Sequence, residues 1–157
     1  MGKPEKTGYS CLRKGRRSIT QQVYLVTWIT AGRSELFREL LPARVVINSL
    51  QFADDAGWSK TFAYVLMPDH IHWLFELRGS KHLSQLVAST KRYSATRLKR
   101  LGFVSGNVWQ EGFHDRAARV DDDLAKLSRY ICANPLRAGR CDEIGQYPHW
   151  DAVWMDS

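Results

Sequence analysis

The chain has 157 residues, enough for one domain with a buried core. Apolar residues make up 44% of it and charged residues 25%, a balance that excludes disordered and fibrous chains. Lysine and arginine number 23 against 16 acidic residues, a formal charge of +7, which favours polyanions as partners: nucleic acid first, an anionic membrane surface second, with an inert basic surface as the plain alternative.

Residues 1–18 carry Lys3, Lys6, Arg13, Lys14, Arg16 and Arg17 among Gly and Ser. This segment reads as a basic arm, either part of a binding surface or a disordered leader. It has no apolar h-region, so it does not read as a secretory signal. Residues 21–30 (QQVYLVTWIT) are dense in β-branched and aromatic side chains and predict a strand ended by Ala31–Gly32. Over residues 34–55, apolar side chains recur at spacings of three and four, which predicts a helix. Pro42 should start its main part after a short lead-in turn. Residues 62–67 (FAYVLM) and 70–77 (HIHWLFEL) predict two strands joined at Pro68–Asp69, a hairpin closed off by Gly79–Ser80.

Residues 83–101 predict an amphipathic helix with a basic face, stopped at Gly102. Residues 103–120 hold short extended pieces around Trp109 and Phe113. Asp121, Asp122 and Asp123 suit the positive start of a last helix, which runs through Leu124, Leu127, Tyr130 and Ile131 and ends around Pro135 and Gly139. The tail beyond predicts no regular element. The order β, α, β, β, α, short β, α predicts an α+β fold: a ferredoxin-like antiparallel sheet with helices packed on one face. The organisation expected is a basic arm over 1–18, one domain over 19–140 and a tail over 141–157. No apolar run is long enough to span a bilayer. Cys11, Cys132 and Cys141 are odd in number and form no CxxC pair, so they read as free thiols in a reducing, cytoplasmic setting.

Four features could carry chemistry. His70-Ile71-His72 lies within a strand, where alternation sends both imidazoles to one face, with Cα atoms roughly 6.5 Å apart. Two imidazoles so placed can converge on one metal ion, although such a pair can also be ordinary surface. Structural zinc would want four protein ligands, and the cysteines do not cluster here, so an open site taking water or phosphate fits better. Tyr130 and Asn134 stand four apart on the last helix and so share a face. A deprotonated phenol can attack phosphorus, and an amide oxygen suits magnesium or manganese. The alternative is a tyrosine buried at a helix–sheet contact beside an asparagine cap. The run Trp109–Arg116 (WQEGFHDR), with Trp109, His114 and Arg116, could stack on and hydrogen-bond unpaired bases, or simply pack as a loop. Lys91, Arg92, Arg97, Lys99 and Arg100, with Arg137 and Arg140 after the last helix, could hold phosphates or form a solvated face. Phosphate-loop, dinucleotide and GxSxG signatures are absent from the sequence.

Taken together, MPDHIHWLFEL, WQEGFHDR and RYICANPLRAG resemble the REP-associated tyrosine transposases, a branch of the bacterial single-tyrosine HUH (His-hydrophobic-His) transposases. The opening GRRSITQQVYLVTW is similar too, and the likeness spans roughly residues 15–140. It implies a ferredoxin-like, RRM-like fold, with His70, His72 and Asn134 as ligands of a divalent ion (Mg2+ or Mn2+) and Tyr130 as nucleophile. It further implies cleavage and strand transfer on single-stranded or hairpin DNA of REP-like palindromes, through a 5′-phosphotyrosine. The basic residues Arg16, Arg17, Lys91, Arg92, Arg97, Arg100, Arg116 and Arg137, with Trp109 and His114, are then the expected DNA contacts. The expected setting is the bacterial cytoplasm and nucleoid, with a monomer favoured over a dimer. Two rivals remain: a nucleic-acid-binding module without catalysis, and a metal hydrolase of small phosphoesters.

Overall fold

The computed structural model describes residues 21–118, 123–139 and 149–152. Arg16, Arg17, Arg140, Cys11, Cys141, Asp121 and Asp122 lie outside the described residues, as does most of the tail. The elements in chain order are β1 (Val23–Ile29), α1 (Leu40–Asp55), β2 (Ser59–Met67), β3 (His70–Leu77), α2 (Leu83–Arg100), β4 (His114–Ala117), α3 (Leu124–Cys132), the short α4 (Asn134–Arg137) and β5 (Trp150–Ala152). Two 3₁₀ turns, Ala31–Arg33 and Leu36–Arg38, form the expected lead-in to α1, and Pro42 sits in its first turn, where its missing N–H costs nothing. Gly32 ends β1 with φ at +63°, a conformation open to glycine at no steric cost.

The strands form one antiparallel sheet in the order β4-β1-β3-β2-β5. The first four reproduce the ferredoxin-like arrangement expected from the element order. The strand expected over 62–67 begins three residues earlier, at Ser59. The extension is fixed by Asp54 at the end of α1, whose carboxylate accepts from Ser59 Oγ at 2.5 Å, Thr61 Oγ1 at 2.9 Å and Thr61 N at 3.1 Å.

Alternation along β3 decides what each face of the sheet does. Ile71, Trp73, Phe75 and Leu77 turn to one side, together with Tyr24, Val26 and Trp28 of β1, and pack against α1 and α2 in the main core. Trp28 meets Trp73 at 6.1 Å and Trp109 at 5.9 Å between ring centroids, both edge to face. His70, His72 and Leu74 turn to the other side. Leu74 there joins Ile131 and Cys132 of α3 in a second, smaller cluster, flanked by Leu25, Leu124, Leu127 and Trp150.

The expectation that the helices share one face therefore holds for α1 and α2 but not for α3. The apolar stripe of α3 needs cover, and the second face offers Leu74, Phe62 and Ala63 for it. The sequence places Asp123 at the start of α3, and its carboxylate accepts the Lys126 N–H at 3.1 Å. Among the described residues no helix is long and apolar enough to cross a membrane.

Candidate functional site

His70 and His72 stand side by side on the sheet face that α3 partly covers. Their rings are 4.9 Å apart between centroids and nearly perpendicular. Each has its Nδ1 engaged. Asp69 Oδ1 lies 2.6 Å from His70 Nδ1, and Thr27 Oγ1 lies 2.7 Å from His72 Nδ1. Thr27 is the cross-strand partner of His72, which puts its hydroxyl on the same face. Partners at both Nδ1 atoms leave the two Nε2 atoms for a ligand, the outer-shell arrangement that orients metal-binding imidazoles.

Electrostatics favour the neutral, ligating form at His72. Burial, then the charges of His70 and Arg137, push its pKa down from 6.5 to about 4. At Asp69 burial alone would raise the pKa, but the hydrogen bond and charge of His70, then those of Arg33, outweigh it and hold the carboxyl below its ordinary value. Arg33 Nη1 lies 3.2 Å from Asp69 Oδ2, so Asp69 is tied on both sides. Sequence reasoning passed over Thr27, Arg33 and Asp69. Only Asp69 had a visible signal, as the residue directly before His70 in the turn.

The α3–α4 segment brings the second group to this face. α3 ends at Cys132, so Asn134 opens the separate turn α4 rather than continuing the same helix, as the sequence suggested. The cause is Pro135, which has no N–H to give to the carbonyl of Ile131. The Asn134 side chain makes that bond instead, Nδ2 donating to Ile131 O at 2.7 Å. This fixes the amide's orientation and leaves Oδ1 as an acceptor. Ala133 keeps helical torsions, and Ala133 N–H still donates to Arg129 O, so Tyr130, Asn134 and Arg137 remain on one stripe. Tyr130 is 61% exposed, not buried at a helix–sheet contact. The Arg137 guanidinium carbon lies 4.0 Å from the centre of its ring. Arg137 is also among the charges that lower the His72 pKa.

The remaining candidates separate. His114 and Arg116 on β4 are cross-strand partners of Thr27 and Leu25, so both lie on the histidine face, and both are exposed. Arg92, Arg97 and Arg100 are exposed on α2, in the opposite layer. Lys91 is not a free surface charge: its Nζ donates to Gln110 O and Gly112 O, each at 2.7 Å, and pins that loop to α2. Trp109 is a core residue, 9% exposed, with Nε1 donating to Ser94 Oγ at 3.1 Å and its ring 5.4 Å from Phe37. A ring so enclosed offers no face to a base, so the stacking role expected of it is withdrawn.

Imidazole nitrogens and an amide oxygen, the donors expected from the sequence, are of the kinds that hard or borderline divalent ions accept. Among the described residues no three His, Cys, Asp or Glu side chains gather around one point. Cys132 is buried, and its Sγ faces the carbonyls of Tyr64 and Asp151 at 3.7 and 3.5 Å, away from this role.

The comparisons with known proteins agree with one another. The family model described as "Transposase IS200 like" matches residues 18–134. A protein of Haemophilus influenzae that carries the name REP-associated tyrosine transposase is 26% identical over 103 residues; the match covers 57% of this chain and 57% of that relative's length. Among solved structures, a REP-associated tyrosine transposase bound to a REP hairpin superposes with a TM-score of 0.71 at 20% identity, covering 86% of this chain and 79% of that one. A Deinococcus radiodurans protein assigned as a transposase superposes with a TM-score of 0.55 at 21% identity, over 75% of this chain and 94% of that one. At those identities the two structures speak for the fold.

Proposed function

The chain belongs to the IS200-like transposase family, and from that premise we propose that it nicks and rejoins single-stranded or hairpin DNA of REP-like palindromes, with Tyr130 as nucleophile. The observation that carries this reading is the meeting on one sheet face of two imidazoles with their Nδ1 atoms already engaged and a segment bearing an exposed tyrosine and an oriented amide. The choice of DNA follows the solved relative, which holds a REP hairpin.

His70 Nε2, His72 Nε2 and Asn134 Oδ1 would hold a magnesium or manganese ion, which supplies positive charge to a nonbridging oxygen of the scissile phosphate. Asp69 and Thr27, each within hydrogen-bond reach of an Nδ1, would keep the two imidazoles aimed. The Tyr130 oxygen attacks phosphorus in line as its proton passes to solvent, which returns one to the departing O3′. The P–O3′ bond breaks, the departing oxygen becomes a 3′-OH, and the 5′ side stays bound as a phosphotyrosine. A 3′-OH from another strand reverses the step and takes over the phosphate. The phosphodiester is conserved throughout, so no nucleotide cofactor is required.

His114 and Arg116 pair with Thr27 and Leu25 on the histidine face, which supports a role for them in meeting the DNA strand. Arg92, Arg97 and Arg100 add longer-range attraction, and affinity should fall as salt rises. α3 packs on the chain's own β2 and β3, which supports a monomer as the working unit. Chromosomal palindromes as substrate would put the protein at the nucleoid.

The test is a denaturing gel of protein mixed with hairpin DNA and manganese. Wild type should give a covalent adduct, and Tyr130→Phe should bind the hairpin without giving one. Adduct formation by the variant would pass the role to another tyrosine and end this assignment. Tyr64 is a poor substitute: burial, then Asp151 and Cys132, raise its pKa to about 12 against a smaller opposing pull from Arg44.

A further inference from the structure

Tyr130 presents a problem of aim. A phenol that attacks in line must hold one direction, yet this side chain is 61% exposed at the end of a short helix. Among the described residues its one electrostatic or ring contact is the guanidinium of Arg137, whose carbon lies over the ring, 4.0 Å from the centroid. Arg137 is itself well placed to act as a fixed support. Its backbone N–H donates to Ala133 O at 3.1 Å, and Pro135 stiffens the turn between them. The turn therefore sets Asn134 and Arg137 on the stripe that begins at Tyr130.

We propose that Arg137 is a positioning residue, whose planar guanidinium stacks on the Tyr130 ring and holds the phenol aimed at the histidine side of the site. The inference rests on Tyr130 being the nucleophile. A flat, delocalised cation suits this task better than a lysine ammonium, which is compact, strongly hydrated and carried on a flexible stem. A second relation supports the placement. Tyr130 and Arg137 both lie on the segment that packs over the sheet face carrying His70 and His72.

The test uses the full chain with Arg137→Ala and Arg137→Lys. In DNA-free, metal-free protein, relaxation of the 13C-labelled Tyr130 ring should show a clear loss of order in both variants. Arg137→Lys keeps the charge, so its hairpin affinity with chelator present, and its slope against salt, should match wild type. The single-turnover rate of adduct formation at saturating DNA should fall about two- to fivefold, the factor corresponding to one exposed cation–π contact, and lysine should not restore it. Two results would overturn the inference. One is weaker hairpin binding with a salt slope reduced by about one and a normal adduct rate, the mark of a phosphate contact. The other is a slower adduct rate with an unchanged Tyr130 ring. If wild type forms no adduct, the nucleophile reading fails separately, and the ring measurement still decides whether Arg137 orders Tyr130.

Discussion

Acidifying the metal-free protein from pH 6.5 towards pH 4 should remove stability through His72. Burial, then His70 and Arg137, lower the pKa of this imidazole from 6.5 to about 4. The unfolded chain protonates it at the ordinary value, whereas the folded chain leaves it neutral until about pH 4. Within that window the unfolded state binds more protons, so stability falls as pH falls. The slope approaches about 1.4 kcal/mol per pH unit, and the loss reaches about 3 kcal/mol at full extent. Above pH 6.5 neither state carries the proton and the contribution is flat. Asp69 does not confuse the window, because its lowered pKa removes stability only below its ordinary 3.8. His149 does overlap, since burial and then Arg44 lower its pKa as well. Comparison with His72→Gln, which takes no proton, isolates the effect. Urea unfolding followed by tryptophan fluorescence in chelator should show wild type losing about 2 kcal/mol more than the variant between pH 6.5 and about pH 4.5. Parallel losses in the two proteins would refute the claim that the fold holds His72 neutral.

Thr27→Val keeps shape but removes the oxygen 2.7 Å from His72 Nδ1, and should weaken manganese binding roughly 10- to 100-fold by calorimetry with the fold retained. Lys91→Met strips the donor from Gln110 O and Gly112 O, and should cost about 2 kcal/mol of stability and speed amide exchange in that loop. If Lys91 were instead a DNA contact, the same change would leave stability intact and lower hairpin affinity.

The sheet and the two core-layer helices were legible because they are built from local periodicity. The alternation in HIHWLFEL placed both histidines on one face, and β3 runs over the residues expected of it. What escaped the sequence depends on contacts between distant segments. Trp109 sits in a polar run, and nothing nearby announces that it inserts between Trp28 and Phe37. Lys91 looked like one of several helix-surface cations until the loop it pins was in place. The crossing of α3 to the second face is decided by Leu74 meeting Ile131, a pairing that no spacing rule contains. The break at Pro135 was visible as the end of a helix. Its consequence, an asparagine amide turned by the carbonyl the proline leaves over, needed the three-dimensional arrangement. Thr27 as the partner of His72 followed only from the strand register.

The most direct measurement is the mass of the tryptic peptide spanning Tyr130–Arg137 after reaction with hairpin DNA and manganese. The account predicts that this peptide carries a nucleotide attached through phosphate at Tyr130. Finding that peptide unmodified, with the nucleotide on another tyrosine or on none, would contradict it.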